Sequence, residues 1–290
     1  MEYQEYCFKT SEENADLAEL DLYEAGITAY SEEEVSASGE KEILFRIFPE
    51  EGEEEQLSLL IERLSEKGLI RNGIRHDRLD DSYLDSWKKY YHGGRAGTFN
   101  IIPAWEFKGL STGPDEIVTD PGRSFGTGTH ETTSLAITEL EKYIKPGDRA
   151  VDVGFGSGIL SIAALKRGAG LVRGTDIEDA ALLSARQNFA LNGFVFPEKD
   201  FFLGDIISDR ECFERLCPGE NDLVVANLLT DIILAMRERL FELLKPGGIL
   251  ISSGIIEERA RDLKDEMEKT GFRELERLQA GEWVSVVFTK

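Results

Sequence analysis

From about residue 131 onward, apolar residues fall into short runs of strand length, separated by longer stretches with helical character. The runs predict strands near Arg149–Val153, Leu171–Asp176, 199–203, 222–227 and 249–252, with helices between them. Alternation of this kind predicts a parallel α/β sheet. The C-terminus breaks the rhythm. Runs at 272–278 and Trp283–Thr289 are joined only by Gln279-Ala280-Gly281-Glu282. So short a connection demands an antiparallel hairpin, because parallel neighbours need a longer crossover.

Residues 1–79 follow another order: strand, helix, strand, strand, helix, strand. Residues 3–9 read as a short strand, and Ser11 can cap a helix running to about Ala25 with Leu17, Leu20 and Leu22 as its apolar stripe. Ile27 opens a second strand. Ile43, Phe45 and Ile47 alternate as a half-buried strand ended by Pro49. Leu57, Leu60, Ile61 and Leu64 fall at helical spacing, and 69–75 reads as the last strand. This βαββαβ order is that of a small ferredoxin-like α+β domain. Residues 80–110 read as a connector. A helical piece carrying Trp87, Tyr90 and Tyr91 is broken by the glycines of 92–97, and Ile101-Ile102-Pro103 resumes an extended chain. The predicted division is therefore 1–79, a helical connector over 80–110, and 111–290.

Length and composition add limits. A chain of 290 residues fits about two domains. No apolar run approaches the ~18 residues of a membrane span, and the first residues lack the basic start and apolar stretch of a signal peptide. Three cysteines without paired spacing argue against a disulfide framework and a zinc site. A cytoplasmic protein is expected, with no membrane partner and no bound metal. The net charge of −23 disfavours direct nucleic-acid binding, which rests on phosphate neutralisation. Residues 1–79 hold 21 acidic and 8 basic side chains, so just over a quarter of the chain carries −13 of that charge. This is either a docking surface for a cationic partner or a solvated acidic face.

The chemistry concentrates in four places. Gly154-Phe155-Gly156-Ser157-Gly158 follows an apolar strand and opens a helix. Glycines there permit a tight turn and a close approach of ligand to backbone, and the helix start offers N–H groups. A lone GxGxG is weak, but the next strand ends in Asp176, 22 residues after Gly154, where a carboxylate can accept from both ribose hydroxyls of an adenosine. A dinucleotide fingerprint would need its third glycine at position 159, which is Ile159. The spacing favours S-adenosylmethionine, which has no phosphate to cradle.

A second glycine-rich stretch, 121–130, contains Phe125-Gly126-Thr127-Gly128-Thr129-His130 and runs into a helix that Thr129 is placed to cap. It reads as a loop that folds over the cofactor, with Thr133 directed at it. His130 is either a general base or, the favoured reading, a residue that holds the loop by hydrogen bonds. The fourth strand ends in Asn227-Leu228-Leu229-Thr230. Asn227 therefore borders the crevice where the methyl group would react. Enzymes that methylate planar amino groups of bases often carry Asn-Pro-Pro-Tyr there. The aromatic is missing here, which favours a tetrahedral aliphatic amine.

With these segments together, the chain resembles the family of methyltransferases of large-subunit ribosomal protein eleven (PrmA-like). Further matching residues are Trp87-Lys88, Pro103-Ala104-Trp105, Lys245-Pro246-Gly247-Gly248, Ser253-Gly254-Ile255 and Glu282-Trp283-Val284. The resemblance implies a Rossmann-like seven-stranded methyltransferase sheet with a C-terminal antiparallel hairpin, preceded by the ferredoxin-like domain as substrate holder. It implies S-adenosyl-L-methionine as cofactor, contacted by Thr133, Gly154, Asp176 and Asn227, with Phe125 and Gly156 beside them and Asn227 also at the reacting groups. It implies methylation of lysine side chains and of the N-terminal amine of a basic ribosomal protein, by an enzyme expected to be a monomer. One departure stands out: the family usually has Cys where this chain has Phe155, a bulkier side chain expected to alter packing behind the loop. The rival readings are a methyltransferase acting on RNA or a small molecule, a nicotinamide-dependent dehydrogenase, and a silent ligand-binding module.

Overall fold

The computed structural model describes residues 3–11, 14–25, 30–37, 40–47, 54–79, 93–120 and 130–290. Its contacts divide the chain into two units, Met1–Tyr91 and His92–Lys290. The first unit contains β1 (Tyr3–Ser11), α1 (Ala15–Glu24), β2 (Tyr30–Ala37), β3 (Glu40–Ile47), α2 (Glu54–Glu66) and β4 (Arg71–Leu79). The sheet order is β2-β3-β1-β4, and every neighbouring pair is antiparallel. The βαββαβ order of the sequence reading is thus the one observed, with β3 lying between β1 and β2. Phe8 and Phe45 face each other in register and stack at 5.1 Å. Leu57, Leu60 and Leu64 of α2 bury against them at helical spacing.

Two local expectations shift. The buried stripe of α1 uses Ala18 and Leu22, four residues apart, and Leu17 is turned outward at 53% exposure. The reason lies in Asp21, on the same buried side, which Lys67 holds through both carboxylate oxygens at 2.6 and 2.8 Å. That pair ties α1 to the end of α2. The last strand begins at Arg71 rather than at residue 69, because Leu69 serves the core as part of the turn after α2.

The second unit opens with a three-stranded sheet, β5 (Gly94–Ala96), β6 (Phe99–Pro103) and β7 (Glu116–Thr119), in that order. Gly94–Ala96 and Phe99–Pro103, assigned to the connector from the sequence, are thus paired strands, the second of them bonded to a strand beyond the connector; the helical piece with Trp87 lies outside the described residues. Phe99 and Ile101 alternate into the core. Over Phe99, at 3.8 Å, sits the Arg167 guanidinium, which also pairs with Glu141 at 2.6 Å and Asp115 at 2.9 Å. This cluster fastens the small sheet to the helices behind it.

The large sheet contains β8 (Arg149–Val153), β9 (Leu171–Asp176), β10 (Phe201–Leu203), β11 (Asn221–Asn227), β12 (Leu244–Ile256), β13 (Arg273–Ala280) and β14 (Trp283–Thr289). Its order is β10-β9-β8-β11-β12-β14-β13. The first five strands are parallel, and β14 runs antiparallel to both β12 and β13. The expected hairpin is therefore present, closed by Gly281-Glu282 with Gly281 at φ +60°. Helices α3 (Glu131–Tyr143), α4 (Ile159–Lys166) and α5 (Asp179–Leu191) share one core with Ala150, Leu223, Val225, Ile251 and Val287. Helices α6 (Arg210–Arg215), α7 (Thr230–Leu243) and α8 (Glu257–Thr270) share the other with Val151, Val153, Val224, Leu250 and Phe288. Alternate residues of β8, β10, β11, β12 and β14 feed alternate cores, so both faces of these strands are covered. That is why the strands read as continuous apolar runs.

β12 is longer than the expected 249–252. Asn221 pairs with Leu244 and Leu223 with Ile249, so Lys245-Pro246-Gly247-Gly248 interrupts the register inside the strand. Pairing with β14 then carries β12 on to Ile256. The strand order reverses between β8 and β11, which opens a crevice at their carboxyl ends.

Candidate functional site

The crevice is framed first by the loop after β8. Gly154, Gly156 and Gly158 have φ of +74°, +48° and +75°, a region that L side chains adopt only with strain. Space is equally tight. A Cβ on Gly154 would lie 2.8 Å from Leu228 Cδ2, and one on Gly158 would lie 3.1 Å from Ala185 Cβ. Gly158 caps α4 without any side-chain bond. The missing cap is supplied from below: Asp152 at the end of β8 accepts from the Ser161 N–H at 3.1 Å and from its hydroxyl at 2.6 Å. Burial pushes the Asp152 carboxyl up to about 7, and the charge on Asp176 adds to the rise.

Phe155 turns away from the crevice. It is buried, meets Phe201 edge-to-face at 5.2 Å, and fills the space beside Gly174, where a Cβ would lie 2.9 Å from its ring. The bulk at this position is accommodated by a glycine on the neighbouring strand, behind the loop.

Asp176 ends β9. One carboxylate oxygen accepts from Gly156 N at 2.8 Å and the other from Glu178 N at 3.0 Å. An ionised carboxylate has about four acceptor positions, so two remain for a ligand. Beside it Thr175 donates to Gly204 O at 2.7 Å and Gly204 N to Asp176 O at 2.8 Å. These bonds bring Asp205 alongside, a residue the sequence reading did not single out. Its own loop, the Ile207 N–H first and then the Ser208 hydroxyl, holds its carboxyl below the usual carboxylate range. The signal that could have found it is the Gly-Asp pair directly after an apolar strand.

The opposite wall joins β11 to α3. Asn227 Nδ2 lies 3.4 Å from Thr133 Oγ1, although 94 residues separate them. Asn227 Oδ1 is buried and has no hydrogen-bond partner among the described residues. Ser253 donates to Thr132 O at 2.7 Å and secures the same turn of α3. His130, not Thr129, is the N-cap of α3: its Nδ1 accepts from Thr132 N at 3.3 Å, and its ring meets Trp283 edge-on at 5.3 Å. A side chain occupied in capping and packing is a holding residue. Phe125, with the rest of 121–129, lies outside the described residues. Of the six expected residues, Gly154, Gly156, Asp176, Thr133 and Asn227 therefore stand at the carboxyl ends of β8, β9 and β11 or on the helix against them.

Comparison with known proteins identifies this arrangement. The family model for Ribosomal protein L11 methyltransferase (PrmA) matches residues 3–290. The chain belongs to the ribosomal protein L11 methyltransferase family. The ribosomal protein L11 methyltransferase of Bacillus licheniformis is 39% identical over 243 residues, 83% of this chain and 75% of that protein. The Bacillus cytotoxicus protein of the same name is 41% identical over 213 residues, 72% of this chain and 65% of the relative. Among solved structures, a ribosomal protein L11 methylase from Lactobacillus delbrueckii subsp. bulgaricus superposes with a TM-score of 0.59 at 33% identity, covering 68% of this chain and 98% of that one. As a member of this family the chain is an S-adenosylmethionine-dependent methyltransferase. A dehydrogenase reading falls with that membership. Among the described residues, no helix is long and apolar enough to cross a membrane.

Proposed function

We propose that this methyltransferase transfers methyl groups from S-adenosylmethionine to amines of ribosomal protein L11, the protein named in its relatives: lysine side chains, the N-terminal α-amine, or both. The observation that carries this reading is the buried, unpartnered Oδ1 of Asn227 at the end of β11, with Leu228 and Leu229 following instead of an aromatic platform. An amide oxygen in that place accepts an N–H from an incoming aliphatic amine and aims its lone pair. A flat base finds nothing there to stack on.

The crevice also suits the cofactor. Three left-handed glycines present backbone at close range, and Asp176 keeps two acceptor positions for the ribose hydroxyls. Asp205 at the next strand end is placed for the adenine edge. When bound, the cofactor supplies a methyl group on a sulfonium, already a good leaving group. The protein's part is alignment, worth roughly 7–11 kcal/mol when reacting atoms are held in line. The amine must arrive neutral. Lysine ordinarily titrates near ~10.4, and burial in the crevice lowers that value. His130 spends Nδ1 on the helix cap, so the proton leaves to solvent.

The substrate-holding part is the ferredoxin-like unit over 1–79, whose excess of acidic side chains complements a basic ribosomal protein. The enzyme works in the cytoplasm as a monomer and makes no direct contact with nucleic acid. The test is transfer of tritiated methyl groups to purified large ribosomal subunits and to free L11, followed by mass spectrometry. Label in L11 is expected, and label in RNA overturns the reading. Asp176→Ala should weaken cofactor binding at least about tenfold in calorimetric titration, since it removes charged acceptors. Asn227→Ala should lower kcat by about 100-fold through misplacement of the amine.

A further inference from the structure

Beside the buried Ala181, Ser184, Ala185 and Phe189, α5 and its C-cap carry two buried asparagines one turn apart, Asn188 and Asn192. Their side chains continue the hydrogen bonding of β7 as a neighbouring strand would. Asn192 Oδ1 accepts from Val118 N at 3.0 Å and its Nδ2 donates to Val118 O at 2.6 Å. Asn188 Oδ1 accepts from Asp120 N at 2.8 Å and its Nδ2 donates to Asp120 O at 3.2 Å. The spacing of two residues on the strand matches one helical turn on α5.

The two side chains differ in one bond. Asn192 Nδ2 spends its remaining donor on its own helix, at Asn188 O. Asn188 Nδ2 instead donates to Ser157 O at 2.9 Å, in the glycine loop between Gly156 and Gly158. One planar amide thereby fixes the position of the glycine loop relative to Asp120, the residue from which the chain enters 121–129. The same helix face packs Ala185 and Phe189 against Gly158.

We infer that Asn188 is a positioning residue for the cofactor: it acts through Ser157 and Asp120 to set the glycine loop and the chain at the end of β7 in common register. The inference rests on the reading of 154–158 as the cofactor loop. Asn192 provides the internal control, because it too is buried and bonds one residue through both amide atoms, Val118 of β7, yet does not reach the loop.

The experiment compares Asn188→Leu, Asn192→Leu and Asp176→Ala in the full chain. It measures thermal midpoints by calorimetry, and S-adenosylmethionine and S-adenosylhomocysteine affinity by titration. Both asparagine variants should lose similar thermal stability. Asn188→Leu should weaken cofactor binding by about tenfold, in line with loss of a buried hydrogen bond at the loop. Asn192→Leu should stay within about twofold of the parent, the scale of an unaltered site. The KM for cofactor should rise in Asn188→Leu while the KM for the protein substrate holds. Should Asn188→Leu fail to fold, Asn188→Ser and Asn192→Ser replace the pair. Equal effects of the two asparagine variants on affinity, or parent-like affinity in Asn188→Leu, overturn the inference. Parent-like affinity in Asp176→Ala overturns instead the site reading on which it stands.

Discussion

Two regions of the methyltransferase unit each bury a carboxylate beside a serine, and they handle it differently. Beneath the glycine loop, Asp152 is 1% exposed, and one of its oxygens receives both donors of Ser161. Between α3 and the C-terminal hairpin, Glu139 is fully buried, and one of its oxygens contacts the Ser285 hydroxyl. In each case the second oxygen has no partner among the described residues. The Ser161 N–H can only donate, so Asp152 serves as an acceptor whatever its charge. Ser285 Oγ, by contrast, lies within reach of both Glu139 and Ser252 O, the latter at 3.2 Å. One hydroxyl proton satisfies one acceptor. A protonated Glu139 resolves the shortage by donating to Ser285 Oγ, whose own hydroxyl then donates to the Ser252 carbonyl. Burial, with the nearby charge of Glu276 adding to it, pushes Glu139 up to about 8, against about 7 for Asp152. The lesson is that an acid beside a serine caps a helix in one place and is pushed toward its neutral form by burial in the other.

The sharpest way to break this contrast is to remove the cap. Asp152→Ala leaves the Ser161 N–H and hydroxyl buried without their acceptor and should cost about 3 kcal/mol. The cofactor affinity should fall with it, because α4 starts at Gly158. A thermal midpoint within a degree or two of the parent would mean that water, not Asp152, satisfies α4.

Next comes the pH dependence at Glu139. Its folded value of about 8 lies above the ordinary carboxylate value of 4.5. The folded state therefore holds a proton that the unfolded chain releases as pH rises from about 4.5. Stability is fully present below that pH and is lost progressively until about pH 8, above which no further loss occurs. Glu139→Gln keeps the shape and cannot ionise. Relative to the parent it should gain on the order of 2 kcal/mol between about pH 6 and pH 8. Thermal midpoints measured across that range test it. Parallel curves for parent and variant would show Glu139 to be ionised in the fold.

Much of this architecture is legible in the sequence, for reasons that are local. Left-handed glycines at 154, 156 and 158 announce a turn that other residues resist. Asp176 is fixed relative to that turn by the length of one helix and one strand. The alternation of Leu223, Val224, Val225 and Ala226 between two cores reads as an unbroken apolar run. What the sequence hides depends on partners far along the chain. Glu139 sits in an ordinary amphipathic helix, and its carboxyl is pushed up by burial against a hairpin whose Ser285 lies 146 residues away. The cap of α3 falls to His130 rather than Thr129 because Trp283 supports its ring. Leu17 yields its place to Ala18 because Asp21 must lie where Lys67 reaches it. The asparagine pair at 188 and 192 did carry a signal: two amides at helical spacing on an apolar face must find backbone partners or be costly to bury.

The smallest expected effect sharpens the comparison most, since it probes the hairpin's polar interior with nothing but a hydroxyl. Ser252 Oγ is buried and has no partner among the described residues, whereas its carbonyl is engaged by Ser285. Replacing that hydroxyl by hydrogen removes an unsatisfied donor and keeps the carbonyl. Ser252→Ala should therefore be neutral or stabilising by up to about 1 kcal/mol, and it should leave the pH profile of the parent intact because the chain from Glu139 through Ser285 to the Ser252 carbonyl survives. Combining it with Glu139→Gln should then give additive changes in thermal midpoint. A clear destabilisation by Ser252→Ala, with a changed pH profile, would place a water molecule between Ser252 and Glu139. The neutral acid would then owe its proton to that water rather than to the shortage at Ser285.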